Sequence, residues 1–180
     1  MQISDNALLS GGPGKSITVE AWVKPDQTSG TQPIFEKFLD GSSKDWGLQI
    51  VDGLAEAVIE SANDNWNLQA GNIPAGSWTH VAMAFDNAAD LVRLFINGVE
   101  VVQRSLTKDM PDTRAALRIG RHGYASQYLI GEVDEARLWN YARSVGEITA
   151  DMNRERTGTE PGLIGYWSFN EGTGQTAADR

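Results

Sequence analysis

The stretch at residues 131–140, Gly-Glu-Val-Asp-Glu-Ala-Arg-Leu-Trp-Asn, alternates small or apolar residues with charged ones. This alternation predicts a half-buried β-strand, because successive side chains of a strand point to opposite faces. Glu132, Asp134 and Glu135 nevertheless place three carboxylates within four residues of it. A catalytic acid pair, a calcium ligand or a salt-bridged surface would each explain these carboxylates, and the three alternatives imply different functions.

Short alternating segments separated by turn residues continue on both sides of this stretch. Residues 17–24 place apolar side chains at every second position, and residues 78–85 and 163–169 contain similar segments. Asp-Gly at 52–53 and Asn-Gly at 97–98 each separate two such segments. Both pairs predict two-residue hairpin turns, because both central positions of such a turn need a positive φ.

One helix is predicted near the C-terminus. Ser144 and Glu147 form a capping-box pattern, and Ile148 and Met152 fall on one helical face, which predicts a short helix at 145–155. Many short strands with one helix predict a single all-β domain over residues 1–180. We expect a two-sheet antiparallel jelly-roll sandwich, closed by the strand around Trp167.

The charge and composition exclude several classes of partner. The 180 residues carry a net charge of −9, which disfavours nucleic acid and anionic membrane surfaces. With 0 cysteines there is no disulfide, thiol nucleophile or thiolate metal site, and no apolar run reaches the roughly 20 residues of a membrane span. The first six residues lack a signal-peptide pattern. We therefore expect a cytosolic protein or a domain of a longer exported chain.

An ordered set of motifs resembles a known family. The motifs are Ile-Thr-Val-Glu-Ala-Trp-Val-Lys-Pro at 17–25, Trp-Thr-His-Val-Ala at 78–82, Leu-Phe-Ile-Asn-Gly at 94–98, Ile-Gly at 119–120, the stretch at 131–140, and Ala-Arg-Ser at 142–144 with Glu-Ile at 147–148. The chain resembles the laminin-G-like jelly-roll domains of the concanavalin A-like lectin/glucanase superfamily over nearly its whole length. In that family the run at 162–174 often begins a domain, so we expect either a fragment of a longer chain with flanking domains, or a domain whose sandwich is completed by its own C-terminal strand.

Catalysis by the acidic strand is not expected. Jelly-roll endoglucanases place two carboxylates on one strand face, about 5 Å apart. Strict alternation puts Glu132 and Asp134 on one face, followed there by Ala136 and Leu138, and puts Glu135 on the opposite face. The second catalytic acid is therefore missing. His80, between apolar neighbours, is interpreted as a hydrogen-bonded structural histidine, and the chain is not predicted to be an enzyme.

Calcium is the cofactor that the resemblance implies. It implies that the aspartate at the position of Asp134 ligates a structural calcium. The family's carbonyl partners come from a strand and turn near the N-terminus, and the acidic turn of that region is absent from this sequence. Carboxylate and carbonyl oxygens suit this hard cation. The alternative is that Asp134 pairs with a lysine or arginine, or caps backbone amides.

Two loops have the aromatic and polar mixture that binds sugars. Aromatic rings stack on sugar rings, while amide, acidic and basic side chains bind hydroxyls. The candidate ligand-binding residues are Asn63, Asp64 and Trp66 in one loop, Arg121, His122 and Tyr124 with Gln127 and Tyr128 in the other, and Trp46. Alternatively, Trp46 begins a core strand and Trp66 anchors its loop. The remaining tryptophans, Trp22, Trp78, Trp139 and Trp167, are predicted to lie in the core.

The predicted function is non-catalytic binding of a polysaccharide or glycoconjugate. The resemblance implies an accessory module of a larger exported bacterial protein, located outside the cell or at its surface. A structural or protein-binding adhesion repeat without a sugar site is the alternative.

Overall fold

Two antiparallel sheets pack face to face in the computed structural model of this chain. The structure describes residues 1–9, 11–61, 64–106, 109–172 and 177–179, and the side chains at 60, 61 and 64–66 lie outside the description. The strands and helix are β1 Gln2–Ile3, β2 Ile17–Pro25, β3 Thr31–Asp40, β4 Ser43–Val51, β5 Leu54–Ser61, β6 Asp64–Asn72, β7 Thr79–Asp86, β8 Leu91–Ile96, β9 Val99–Ser105, β10 Leu117–Ile119, β11 Gly131–Trp139, α1 Val145–Asp151 and β12 Leu163–Trp167. The predicted all-β jelly-roll sandwich with one short helix is confirmed.

Each sheet has six strands within the described residues. The first sheet has the order β1-β10-β3-β4-β5-β6, and the second has the order β12-β11-β2-β7-β8-β9. The predicted closing strand around Trp167 is β12, which pairs with β11 at one edge of the second sheet. Within the described part of the chain, no helix has the length and apolar character that a bilayer span requires.

The hairpin turns form where the sequence predicts them. Asp52 and Gly53 have φ values of 49° and 82°, and Asn97 and Gly98 have 49° and 77°. Positive φ at both central positions matches the right-handed twist of the flanking strands. These turns set the pairing of β4 with β5 and of β8 with β9.

The core lies between the two sheets, where the alternating apolar residues meet. Val19, Ala21 and Val23 of β2 and Leu48 and Ile50 of β4 are fully buried. Each buried Val, Leu or Ile side chain among them contributes about 1.5–3 kcal/mol to stability. Alternation then fixes the outer face of each sheet, since the residues between these positions must point away from the core.

The helix covers part of the outer face of the second sheet. Ser144 and Glu147 form the predicted capping box, and Ile148 packs on Ala82, Ala84 and Phe95. The helix ends at Asp151 rather than at residue 155 as predicted. Side chains of the second sheet bind the backbone carbonyls at the end of the helix. Trp22 Nε1 donates to Met152 O at 2.7 Å, and Arg137 Nη1 donates to Asp151 O at 3.1 Å.

Candidate functional site

A cavity of about 220 Å³ opens on the outer face of the first sheet. We call it the outer-sheet pocket. The pocket is surrounded by apolar side chains of β3 and β5. Polar or aromatic side chains come from β3, β4, β6 and the loop at 121–128. The lining residues are Thr31, Phe38, Lys44, Gln49, Val58, Asn67, His122, Tyr124 and Gln127.

The strands supply the polar wall of this pocket by simple alternation. Leu48 and Ile50 point into the core, so Gln49 between them points outward. Asn67 of β6 is paired with Val58 of β5, which brings it to the same outer face. Gln49 Nε2 and Asn67 Nδ2 both donate to Glu56 Oε1, at 2.6 and 3.3 Å. This shared acceptor fixes the two amides, whose oxygens remain acceptors for a ligand.

Gly47 of β4 has no side chain, which leaves room for the Phe38 ring that forms the floor of the pocket. A Cβ at Gly47 would lie 2.8 Å from Phe38 Cζ, so the Phe38 ring occupies the space above this glycine. The Phe38 ring is 2 % exposed, and Lys44 Nζ lies 5.6 Å from its centroid. The floor is therefore flat and apolar, with a cationic group above it.

Glu36 holds the loop that forms the other wall. Gly123 N–H donates to Glu36 Oε2 at 2.6 Å, and His122 Nε2 lies 3.1 Å from Glu36 Oε1. A Cβ at Gly123 would lie 2.5 Å from the carbonyl oxygen of Phe38, which leaves room only for glycine. The loop is thus fixed against β3 by a buried carboxyl group and a close backbone contact.

The imidazole of His122 orients the exposed tyrosine. Its ring makes edge contacts with Phe38, at a centroid distance of 5.8 Å, and with Tyr124, at 4.4 Å. The N–H groups of Tyr124 and Ala125 point at His122 Nδ1 from 3.4 and 3.2 Å, which places the ring proton on Nε2, toward Glu36. Tyr124 itself is 46 % exposed and offers its ring to solvent at the pocket mouth.

Burial favours the uncharged forms of Glu36 and His122, which lie beneath the pocket. Burial is the main cause that raises the pKa of Glu36 to about 7, while the Gly123 N–H and nearby Arg118, Lys44 and Arg121 oppose it. Burial also lowers the pKa of His122, and Lys44 and Arg118 add to this effect. Near neutral pH the imidazole is therefore uncharged and Glu36 is only partly ionised, which suits an uncharged ligand.

The structure brings part of the predicted sugar-binding set together. His122, Tyr124 and Gln127 line the outer-sheet pocket, whereas Arg121 and Tyr128 form a backbone bridge beside it. Asn63 lies outside the described residues. Asp64 and Trp66 belong to β6, where Trp66 pairs with Ile59, but their side chains are not described.

Three tryptophans, Trp22, Trp46 and Trp78, differ from at least one of the sequence predictions made for them. Trp46 was a candidate ligand residue, but it is fully buried in the core, because it shares its face of β4 with Leu48 and Ile50. The ligand-binding prediction for Trp46 is therefore wrong, and the alternative that placed it in a core strand is confirmed. Trp22 and Trp78 were assigned to the core, but Trp22 is half-buried on the outer face of the second sheet, and Trp78 precedes β7 and is 41 % exposed.

Strand β11 contains a bulge that strict alternation does not predict. Its register with β2 shifts between Asp134 and Arg137, and Glu135 has a φ of 50°. The extra residue turns Ala136 and Leu138 into the core and puts Arg137 opposite Glu20 on the outer face. The prediction that Ala136 follows Asp134 on the same face is therefore wrong.

The bulge also brings Asp134 and Glu135 to one cavity, contrary to their predicted opposite faces. This cavity, of about 410 Å³, is called the two-tryptophan pocket and is lined by Trp22, Trp78, Asp134, Glu135, Met152, Asn153, Arg154, Glu155 and Asn170. Glu135 is held there by Arg137 Nη2 at 2.5 Å and by Tyr166 Oη–H at 2.7 Å. Asp134 Oδ1 accepts the Glu135 N–H at 2.8 Å.

Calcium binding by Asp134 stays a prediction. Among the described residues, no group of three or more histidine, aspartate or glutamate side chains gathers in a geometry that could hold a metal. Burial is the main cause that raises the pKa of Asp134, and the Glu135 N–H opposes it. Its carboxylate caps a backbone amide, as the alternative interpretation expected.

His80 has a structural position under the helix. It is 1 % exposed and makes an edge contact with Trp22 at a centroid distance of 5.5 Å. Its Nε2 lies 3.7 Å from Glu20 Oε2, which is too long for a hydrogen bond. Burial, with Arg137 and Arg143 nearby, lowers the pKa of His80 to about 3.

Solved structures with the same fold include carbohydrate-binding domains. A Bacteroides ovatus protein whose proposed role is carbohydrate binding superposes with a TM-score of 0.76 at 19 % identity, over 99 % of this chain and 52 % of that one. Domain 4 of the extracellular GH43 arabinanase AbnA from Geobacillus stearothermophilus, solved with arabinotriose, has a TM-score of 0.65 at 25 % identity, over 83 % and 70 %. A SAP-like pentraxin from Limulus polyphemus has a TM-score of 0.65 at 14 % identity, over 99 % and 90 %.

The chain spans about half the length of the Bacteroides ovatus protein. Comparison with curated proteins finds no match. Residues 1–149 match the Laminin_G_3 family, described as the Concanavalin A-like lectin/glucanases superfamily. With most of its length matched and a jelly-roll sandwich formed, the chain belongs to this laminin-G-like family of the concanavalin A-like superfamily.

Proposed function

We propose that this domain binds a neutral saccharide in the outer-sheet pocket without cleaving it. The observation that carries the proposal is the exposed Tyr124 ring beside three amide side chains, Gln49, Asn67 and Gln127. An aromatic face packs on the apolar face of a sugar ring. Amides both donate and accept hydrogen bonds, as hydroxyl groups require.

The chemistry of the pocket wall favours binding over hydrolysis. Glycoside hydrolysis by the usual mechanism needs two carboxyl groups on either side of the bond that is cleaved. The described residues that line the outer-sheet pocket include no aspartate or glutamate. Glu36 and Glu56 lie behind them, 1 % and 7 % exposed; the Glu36 oxygens face Gly123 and His122, and Glu56 Oε1 accepts from the Gln49 and Asn67 amides.

Related structures support the ligand class. Domain 4 of the AbnA arabinanase was solved with arabinotriose, and the Bacteroides ovatus protein has a proposed carbohydrate-binding role. By analogy we extend the proposal to an accessory module of a larger exported protein, which anchors that protein to a polysaccharide or glycoconjugate outside the cell. Calcium is the alternative use of the Asp134 carboxylate, and an ion bound there would stabilise the module.

Isothermal titration calorimetry with arabinotriose, followed by a panel of neutral oligosaccharides, tests the proposal. Tyr124→Ala removes the exposed ring, and we expect affinity to fall about tenfold, since an aromatic stacking contact contributes about 0.5–1.5 kcal/mol beyond the area it buries. Tyr128→Ala is the matched control, because Tyr128 lies in the same loop and is 55 % exposed but does not line the pocket.

Two results would contradict the proposal. Equal losses of affinity in the two variants would place the binding site elsewhere. No binding of any oligosaccharide would favour the alternative of a structural or protein-binding adhesion repeat.

A further inference from the structure

The two-tryptophan pocket lies on the other side of the molecule from the outer-sheet pocket. Trp22 and Asp134 point from the outer face of the second sheet, because their neighbours Ala21, Val23 and Val133 face the core or pack against it. Its volume of about 410 Å³ lies within the range of about 300–1,000 Å³ that ligand cavities have. The function proposed above makes no use of it.

Trp78 places a large aromatic surface at the mouth of this pocket. Trp78 is 41 % exposed, whereas Trp167 is buried in the core. Lys24 Nζ lies 5.9 Å from the centroid of its ring, and Lys24 in turn is bound to Glu132 at 2.7 Å. This neighbouring ion pair supports one side of the indole and leaves much of the ring in contact with solvent.

Trp22 adds a second indole that cannot rotate freely. Its Nε1 donates to Met152 O at 2.7 Å, and its ring meets His80 at a centroid distance of 5.5 Å. The side chain is held at both its polar and its apolar edges. A rigid aromatic surface of this kind binds a ligand at low cost in conformational entropy.

Polar groups of both signs converge on the same cavity. Asp134 uses Oδ1 for the Glu135 N–H, which leaves its second oxygen available as an acceptor. The side chains of Asn153 and Arg154 make no hydrogen bond within the described residues, although the Arg154 carbonyl is fixed by Arg137 Nη2 at 2.7 Å. The cavity therefore combines an acceptor, an amide and a forked donor, which together suit neighbouring hydroxyl groups.

We propose that the two-tryptophan pocket is a second saccharide-binding site, with Trp78 and Trp22 packing on a sugar ring and Asp134, Asn153 and Arg154 binding its hydroxyls. Among the lining residues Arg154 is opposed by Asp134 and Glu155, while Glu135 is paired with Arg137, so a neutral sugar fits better than an anionic ligand. Two sites on opposite faces let one domain hold two polysaccharide segments, which raises the overall affinity for a polymer above that for a short oligosaccharide.

Nitrogen-15 correlation spectra of the indole N–H groups test this site directly. The chain has 6 tryptophans, and the Trp78 signal is assigned by its loss in Trp78→Phe, a change at an exposed position that the fold tolerates. The probes are arabinotriose, cellotriose and mannotriose, each added to about 10 mM so that millimolar Kd values are detected. We expect at least one probe to shift the Trp78 signal in a saturable way.

Variants separate this proposal from the one made for the outer-sheet pocket. The Trp78 shift should persist in Tyr124→Ala and should be weakened at least fivefold in affinity by Asn153→Ala. A Trp78 signal that stays unmoved by all three probes would overturn the proposal, whether or not the outer-sheet pocket responds. A shift produced by calcium chloride alone, and by none of the probes, would also overturn it and would assign Asp134 to a metal.

Discussion

Glu20 is a buried charge on which the packing of the helix against the second sheet depends. It is fully buried, and its Oε1 accepts from Arg143 Nη1 at 2.9 Å and from Trp139 Nε1 at 3.0 Å. Arg137 Nη1 lies 3.6 Å from the same oxygen. Both arginines are 1 % exposed, so this carboxylate compensates cations that water cannot reach.

Glu20→Gln removes the charge while it keeps the shape and one acceptor oxygen. Leaving a buried ion without its partner costs about 3–5 kcal/mol. Arg137 keeps Glu135, and Arg143 keeps Asp151, which places the expected cost at the lower end. We predict a loss of about 3 kcal/mol in the free energy of unfolding, which corresponds to a fall of about 1.5 M in the urea midpoint for an m-value of about 2 kcal/mol/M.

Urea unfolding followed by tryptophan fluorescence measures this change. Glu132→Gln is the control, because Glu132 pairs with Lys24 at the shorter distance of 2.7 Å but the two side chains are 57 % and 32 % exposed. We expect the control to lose less than about 1 kcal/mol, since water already screens an exposed pair. Equal losses in the two variants, or a loss below about 1 kcal/mol for Glu20→Gln, would refute the reasoning.

Four further predictions concern pH, loop geometry and metal binding. His80 has a pKa of about 3 in the folded protein against an ordinary value of 6.5, so the stability that depends on its neutral form is lost as pH falls from about 6.5 toward 3. The free energy of unfolding should fall by up to about 1.4 kcal/mol per pH unit in this range. His80→Gln should lack this dependence in urea melts at different pH values. Glu36 has the opposite sign: its pKa of about 7 exceeds the ordinary 4.5, so Glu36→Gln should gain stability relative to the parent protein as pH rises from 4.5 to 7, and a constant difference over that window would contradict this. Gly123→Ala should abolish saccharide binding in calorimetry, since its Cβ would lie 2.5 Å from Phe38 O, whereas Gly146→Ala in the helix, with its nearest contact at 3.9 Å to Ser144 Oγ, should bind normally. If Asp134 holds calcium, EDTA should lower the Tm and Asp134→Asn should abolish that shift; an unchanged Tm would reject the metal.

The architecture could be predicted because it rests on local signals. Alternation in residues 17–24 fixes which side chains enter the core, and the turn pairs at 52–53 and 97–98 fix the hairpins. The helix start followed from Ser144 and Glu147 in the same way. Its end did not, because Trp22 and Arg137, which are distant in sequence, bind the terminal carbonyls.

The sites depend on contacts between distant residues, and the sequence predicted them only in part. The loop at 121–128 was found from its composition, but Gln49 and Asn67 carry no signal beyond pointing outward from their strands. The bulge at Glu135 is stabilised by Arg137 and Tyr166, so strict alternation assigned the residues after it to the wrong faces. Trp46 differs from these cases, since its spacing from Leu48 and Ile50 puts it on their buried face and supports the core-strand alternative from the sequence alone.

A crystal structure of the domain with the oligosaccharide that binds best in calorimetry would locate the saccharide site itself. We predict a sugar ring in the outer-sheet pocket, packed on Tyr124, with hydroxyls bound by the amides of Gln49 and Asn67. A saccharide bound only elsewhere on the domain, with the outer-sheet pocket occupied by water, would contradict it.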